Sequence, residues 1–349
     1  MRLTGIDTSG QKSICILRLS AIGDVCHALS TVQHIQRTYP DWSLTWIMGK
    51  TEAQLLGDLP GIKVLVFDKK RGLKGMQAIW SQLSGQRFDY LLHMQVALRA
   101  SVLSLGIKAN TKLGFSWSRA KEGQWLFTNQ KLPSTQVTHV LDNFAQFAHY
   151  LGCPPQPPQW QIPISEQDRQ LVKQLPSPYL VICPAASKDE RNWLAQRYAL
   201  VADYAAQKGM HIVLCGSPTD RERRLASTIE HFMSQPVINL VGQTSLKQLT
   251  AVLADAQLVI APDSGPAHIA TTQETPVIGL YAHSNPARTG PYYSLPWCVS
   301  VYEQCIIDQY GKPSDQLAWG TRVKGEQLMS LISTEAVIEK LDHVLTSLK

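Results

Sequence analysis

The 349-residue chain has seven cysteines but no CxxC pair, and it has no run of eighteen apolar residues. Cys15, Cys26, Cys153, Cys183, Cys215, Cys298 and Cys305 stand at irregular distances, several inside apolar runs. Such thiols behave as small hydrophobes and are expected to be reduced and mostly structural. Without a long apolar run there is no candidate transmembrane helix. The polar residues 1–11 also lack the apolar core of a signal peptide, so a cytoplasmic location is expected. HExxH, the Walker lysine loop and GxSxG are missing, and the ten histidines are dispersed. Metal-dependent and covalent hydrolase chemistry are therefore set aside. The GxGxxG fingerprint is missing too, which argues against a nicotinamide enzyme; neither a cofactor nor a metal is expected.

What is present is ordinary for a folded protein of two domains, with 44% hydrophobic residues and a length beyond the reach of one core. Charge is uneven. Residues 1–165 carry 17 Lys and Arg against 9 Asp and Glu, whereas the remainder is close to balanced. A basic first half could meet nucleic acid, an anionic membrane face or an acidic substrate, or is simply a solvated surface. Its cations are dispersed rather than set in an arm, and no nucleic-acid partner is expected.

Apolar runs alternate with helical periodicity. Segments 13–19, 43–48, 64–67 and 90–94 are predicted strands, and Val25, Ala28, Leu29, Val32 and Ile35 form one face of a helix that stops before Pro40. A helix over 138–151 precedes the proline-rich stretch 153–163, predicted to be an extended interdomain linker. Strands are then predicted at 179–183, 211–215, 237–241, 258–261 and 277–281. Helices are predicted at 195–207, 220–231, 245–255, 266–273 and 334–348. Strand–helix alternation of this kind implies an α/β fold with parallel sheets. The domains are expected at 1–164 and 165–330, with a C-terminal helix at 331–349 packing back towards the first.

Three segments are suited to chemistry. The turn at 19–24, LSAIGD, joins the first strand to its helix at the sheet's carboxyl edge, where open α/β folds bind ligands. Asp24 there is either a helix cap or a general base. After the first strand of the second half, 183–193 offers Ser187, Lys188 and Arg191, which suit a diphosphate or a charged surface loop. Residues 261–270, APDSGPAHIA, place a glycine turn and Pro266 at a helix start. Free N–H groups of Ser264 and Gly265, with the helix dipole, form an anion site. Asp263 would repel phosphate and is assigned to sugar hydroxyls. His268 is either a ligand contact or a packing residue. The loop 282–291 either closes over a donor or is only a connection.

The ILRLSAIGD segment at 16–24, the Arg191-Asn192-Trp193 element and the DSGPAH segment at 263–268 together resemble the ADP-heptose:lipopolysaccharide heptosyltransferases, most closely heptosyltransferase I. The resemblance implies a GT-B fold, two Rossmann-like domains whose parallel sheets face each other across a cleft. It implies an inverting, metal-independent transfer of heptose from ADP-heptose to a Kdo residue of the lipopolysaccharide core. The partners implied are the ADP-heptose donor and a Kdo-lipid A acceptor, met at the inner face of the inner membrane. It further implies Asp24 as catalytic base, with Ser187, Arg191, Ser264 and Gly265 on the donor diphosphate. Asp263 and His268 fall on the donor sugar, and Asp220, Glu222 and Thr244 near the nucleoside. Arg191 stands where the family usually has lysine, and replaces a point charge by a planar fork. A heptose acceptor, or a catalytically silent nucleotide-sugar-binding protein, are the alternatives.

Overall fold

The computed structural model describes residues 10–347; the polar start at 1–9 and the last two residues of the predicted C-terminal helix lie outside the described residues. Contacts divide the chain into two compact units at Pro163–Ile164.

The first unit runs β1 (Ser13–Leu17), α1 (Ile22–Thr38), β2 (Ser43–Gly49), α2 (Lys50–Leu56), β3 (Ile62–Phe67), α3 (Gly72–Gln82), β4 (Phe88–His93), α4 (Leu98–Ser104), β5 (Ala109–Gly114), β6 (Gln130–Lys131) and α5 (Val140–Tyr150). Its six strands are parallel in the order β3-β2-β1-β4-β5-β6. The order reverses between β1 and β4, so the loops leaving those two strands open the crevice that doubly wound sheets use for ligands.

Helix α1 follows from its sequence. Pro40 bars continuation past the C-cap Tyr39, and Val25, Leu29, Val32 and Ile35 are fully buried. Each such side chain contributes about 1.5–3 kcal/mol by leaving water. The proline-rich linker lies along this helix: Trp160 donates its indole N–H to the Cys26 carbonyl (2.8 Å), and Gln33 and Gln161 exchange two hydrogen bonds (2.7 and 2.9 Å).

The second unit runs α6 (Glu166–Arg169), β7 (Tyr179–Ile182), α7 (Ala195–Gln207), β8 (His211–Leu214), α8 (Asp220–Phe232), β9 (Val237–Asn239), α9 (Leu246–Asp255), β10 (Leu258–Pro262), α10 (Gly265–Thr272), β11 (Val277–Tyr281), α11 (Pro286–Thr289), β12 (Val299–Ser300), α12 (Tyr302–Tyr310) and α13 (Thr334–Ser347). The strands are again all parallel, in the order β12-β11-β10-β7-β8-β9. The reversal falls between β10 and β7, the strands followed by the two predicted donor loops.

In helix α13, Val337, Leu341 and Val344 are fully buried in the second unit's core beside Trp193 and Ile278. The helix packs on α7, β11 and β12. Its apolar stripe is satisfied within its own unit, and Tyr204 donates to the Asp342 carboxylate at 2.7 Å to fix it there.

Candidate active site

In the first unit, Asp24 sits in the opening turn of α1, where its Oδ2 accepts the Ala21 N–H at 3.2 Å. The same oxygen pairs with Arg18 Nη2 at 2.5 Å. Arg18 is buried at the end of β1, donates through Nη1 to the Met94 carbonyl (2.7 Å) and lies over the Phe144 ring. A buried arginine is held in place by three elements and aims a carboxylate, while Asp24 itself stays 38% exposed. The capping and functional readings of Asp24 are therefore compatible, since both bonds fall on Oδ2.

Gln95, in the loop after β4, fastens the motif across the crevice by accepting the Leu19 N–H (2.6 Å) and the Ser20 N–H (3.3 Å). Behind it, the buried Gln124 amide donates to the carbonyls of His93 (2.8 Å) and Gln95 (3.2 Å), and its oxygen accepts the Phe115 N–H. Sequence reasoning missed Gln95 and Gln124, because a lone glutamine carries no spacing signal.

Beside this turn opens a pocket of about 360 Å³ whose walls include Ser20, Lys50, Lys69, Lys70, Gln95 and Arg99. Four cations against the acids Glu52 and Asp68 make it suited to an anionic guest. Burial pushes the Glu52 carboxyl above its usual range, with Lys69 and Arg18 opposing.

In the second unit the loops after β7 and β10 meet at the strand-order reversal. Arg191 is buried, yet its Nε has no hydrogen-bond partner. Burial lowers its pKa, with Arg322 adding to the effect and Asp263 opposing it, so the guanidinium lies within electrostatic reach of both. Its loop is braced by Asn192, whose amide oxygen accepts the Ala186 N–H (2.7 Å), and by Arg221, which bonds the Ala186 carbonyl (2.6 Å) and Asp189 (2.7 Å). Trp193 is fully buried and donates to the Ile332 carbonyl. Ser187 is exposed on this loop.

Ser264 is the N-cap of α10 but makes no capping bond, and its hydroxyl is buried without a partner. Gly265 and Pro266 open the helix. A helix start presents free N–H groups and a positive dipole end. Together with the partnerless Arg191 Nε, this leaves unmet polar groups that an anionic guest would satisfy, since buried polar atoms are ordinarily bonded.

Asp263 precedes them, its Oδ2 accepting the Ser284 hydroxyl at 2.6 Å. His268 Nε2 lies 3.8 Å from Asp263 Oδ1. Burial raises the Asp263 pKa, but His268, Ser284 and Arg191 outweigh it and hold the carboxylate below its usual range. Asp263 is thus an ionised group fixed in orientation, and His268 a buried partner of it. The 282–291 loop contributes through Ser284, a role invisible in its sequence.

The nucleoside candidates are more scattered. Asp220 is exposed at the start of α8. Both Glu222 oxygens are already engaged by Ser217, through its N–H (2.7 Å) and its hydroxyl (2.6 Å), so Glu222 shapes the turn after β8. Thr244 lies half-buried just before the Ser245 cap of α9. Among the described residues, no cluster of three His, Cys, Asp or Glu side chains gathers to hold a metal.

Residues 76–316 match glycosyltransferase family 9, described as heptosyltransferase. The chain is 49% identical to a lipopolysaccharide core heptosyltransferase, OpsX, of Haemophilus influenzae, over 96% of this chain and 97% of that protein. In fold it resembles a family 9 glycosyltransferase from Veillonella parvula, with a TM-score of 0.77 and 22% identity, covering 96% and 97% of the two chains. It also resembles the E. coli heptosyltransferase WaaC with ADP, with a TM-score of 0.74 and 20% identity, covering 95% and 99%.

Proposed function

Because the chain belongs to glycosyltransferase family 9 and is a lipopolysaccharide heptosyltransferase of GT-B fold, we propose that it moves heptose from ADP-heptose to a Kdo residue of the inner core, with inversion and without a metal. The single observation that carries the donor assignment is the pairing of a partnerless buried Arg191 Nε with a partnerless buried Ser264 hydroxyl at a helix start. A diphosphate would satisfy both. The second unit holds the donor: Arg191, Ser187, Ser264 and Gly265 at the diphosphate, Asp263 and His268 at sugar hydroxyls. Asp220 and Thr244 are assigned to the nucleoside, and Glu222 to the turn beside it.

The first unit supplies the base and the acceptor pocket. An acceptor hydroxyl oxygen attacks the anomeric carbon as the bond from that carbon to the diphosphate oxygen breaks. Asp24 accepts the hydroxyl proton on Oδ1, because Oδ2 is held by Arg18 and Ala21. The electron pair leaves with ADP, whose added charge is met by Arg191 and the α10 start, an electrostatic contribution of several kcal/mol where the groups are preorganised. Kdo is a carboxylate sugar, and Lys50, Lys69, Lys70 and Arg99 around the first-unit pocket suit it better than a neutral heptose. Its lipid anchor places the enzyme at the inner face of the inner membrane as a peripheral protein; among the described residues no helix is long and apolar enough to cross a membrane.

Incubation with ADP-heptose and Kdo-lipid A, followed by mass analysis, tests the reading. A single heptose added to Kdo is the expected result. Product only with an acceptor already carrying heptose assigns the chain to a later step. ADP binding with no product from either acceptor makes it a binding protein.

A further inference from the structure

The first unit also displays an apolar patch that the transfer chemistry does not use. Trp117, Trp125 and Leu126 are 62%, 41% and 67% exposed on the loop that leaves β5. The two indoles touch, with ring centroids 5.1 Å apart. Leu98, 51% exposed at the start of α4, is tied to the same loop by its N–H, which donates to Glu122 at 2.7 Å.

This display is built rather than loose. Gln124, fully buried one residue before Trp125, is bonded to His93, Gln95 and Phe115, so the loop is pinned while its aromatic tip faces solvent. A contiguous exposed patch with rigid aromatics marks an interaction surface.

Charge selects the occupant. On this loop and beside it stand Arg99, Arg119, Lys121 and Lys131 against the single acid Glu122. The Lys131 ammonium sits 4.7 Å over the Trp117 ring. Tryptophan and leucine flanked by cations match the headgroup layer of an anionic bilayer, where indoles reside and lipid phosphates attract Lys and Arg. A second copy of the same patch would bring like charges together, which disfavours self-association.

We infer that Trp117, Trp125 and Leu126, with the surrounding cations, are the element through which this protein rests on an anionic lipid surface. The loop leaves the carboxyl edge of the first sheet, the edge that also bears Asp24 and the basic pocket. Docking there presents the pocket to an acceptor anchored in the same lipid. The inference deepens the peripheral attachment proposed above and rests on it for the identity of that acceptor, but lipid binding itself involves no acceptor.

Co-sedimentation with vesicles of phosphatidylethanolamine and phosphatidylglycerol, against vesicles of phosphatidylcholine alone, tests it. The wild type is expected to bind the anionic vesicles, and less strongly at about 0.5 M salt, where exposed charges are screened. The W117S/W125S/L126S variant is expected to lose binding by about tenfold or more, because it removes the inserted apolar area. K121E/K131E is expected to weaken it several-fold. Both variants should keep wild-type thermal melting, ADP binding and, with a delipidated soluble Kdo acceptor, transfer. Wild-type binding by the triple variant, or no vesicle binding by the wild type, overturns the inference. So does a wild-type dimer that the triple variant dissolves while neither binds vesicles. Failure of transfer with soluble acceptor, with vesicle binding intact, refutes the acceptor assignment and leaves the docking element standing.

Discussion

Arg18 and Asp24 form a directed ion pair, 2.5 Å from Nη2 to Oδ2, with the arginine buried and the aspartate half-open to solvent. The pairing fixes which carboxylate oxygen is occupied and leaves Oδ1 for the proton transfer proposed above. Asp24→Asn is expected to cut kcat by about 10²–10⁴-fold, the usual range for a lost general base. ADP affinity, measured by calorimetry, should stay unchanged. Arg18→Met should lower kcat while leaving the donor KM near wild type, and Arg18→Lys should restore part of it. Full activity in Asp24→Asn would remove this residue from the mechanism.

The donor site gives a second expectation. Ser264→Ala deletes a hydroxyl that has no partner in the free protein, so stability should hardly change while ADP binding weakens by roughly fivefold, the worth of about one neutral hydrogen bond. Arg191→Ala removes charged bonds worth about 1.5–3 kcal/mol each and should weaken ADP binding more than tenfold. Arg191→Lys is expected to fall between, because it keeps the charge and loses the fork. Equal ADP affinity in all three would place the diphosphate elsewhere.

His93 predicts an acid-dependent loss of stability. Burial pushes its pKa down to about 3, and its ring bonds Ser101 on one side and Gln124 on the other. An unfolded histidine titrates near 6.5. Between those values the unfolded chain binds a proton that the folded chain refuses, so stability falls as pH drops through the window, by up to about 1.4 kcal/mol per pH unit from this group. Urea unfolding at pH 7 and pH 5 should show that loss, and His93→Gln should flatten it. A stability unchanged by the substitution at both pH values would mean that the ring contributes nothing.

Chelation gives the fourth. The charge that builds on the leaving diphosphate is assigned to Arg191 and the α10 start, so assay in excess EDTA should leave kcat within about twofold, whereas loss of a catalytic metal would remove several kcal/mol of stabilisation. Collapse of turnover, restored by a divalent cation, would contradict the assignment.

Most strands were legible because parallel strands buried on both faces read as continuous apolar runs. β5 was not, since Ala109–Gly114 carries Asn110, Thr111 and Lys112 and is only partly buried. The two-residue β6 and β12 are too short to leave a pattern. The turn and cap positions of Asp24, Asp263 and Ser264 were readable because such positions constrain residue type. Ser284, Gln95, Arg221 and the role of Arg18 were not. Their meaning comes from partners between 6 and 76 residues away in the chain, and no local spacing encodes such a pairing.

The two sheets share one topology: renumbered within its own half, each has the strand order 3-2-1-4-5-6. No repeat is visible in the sequence, yet the backbone plan is duplicated, and each copy carries its candidate site residues on the loops at its own strand-order reversal. Under the proposed division of labour the acceptor loops and the donor loops sit on separate copies of one backbone plan, so the choice of sugar to extend and the grip on the nucleotide are coded by residues far apart in the chain.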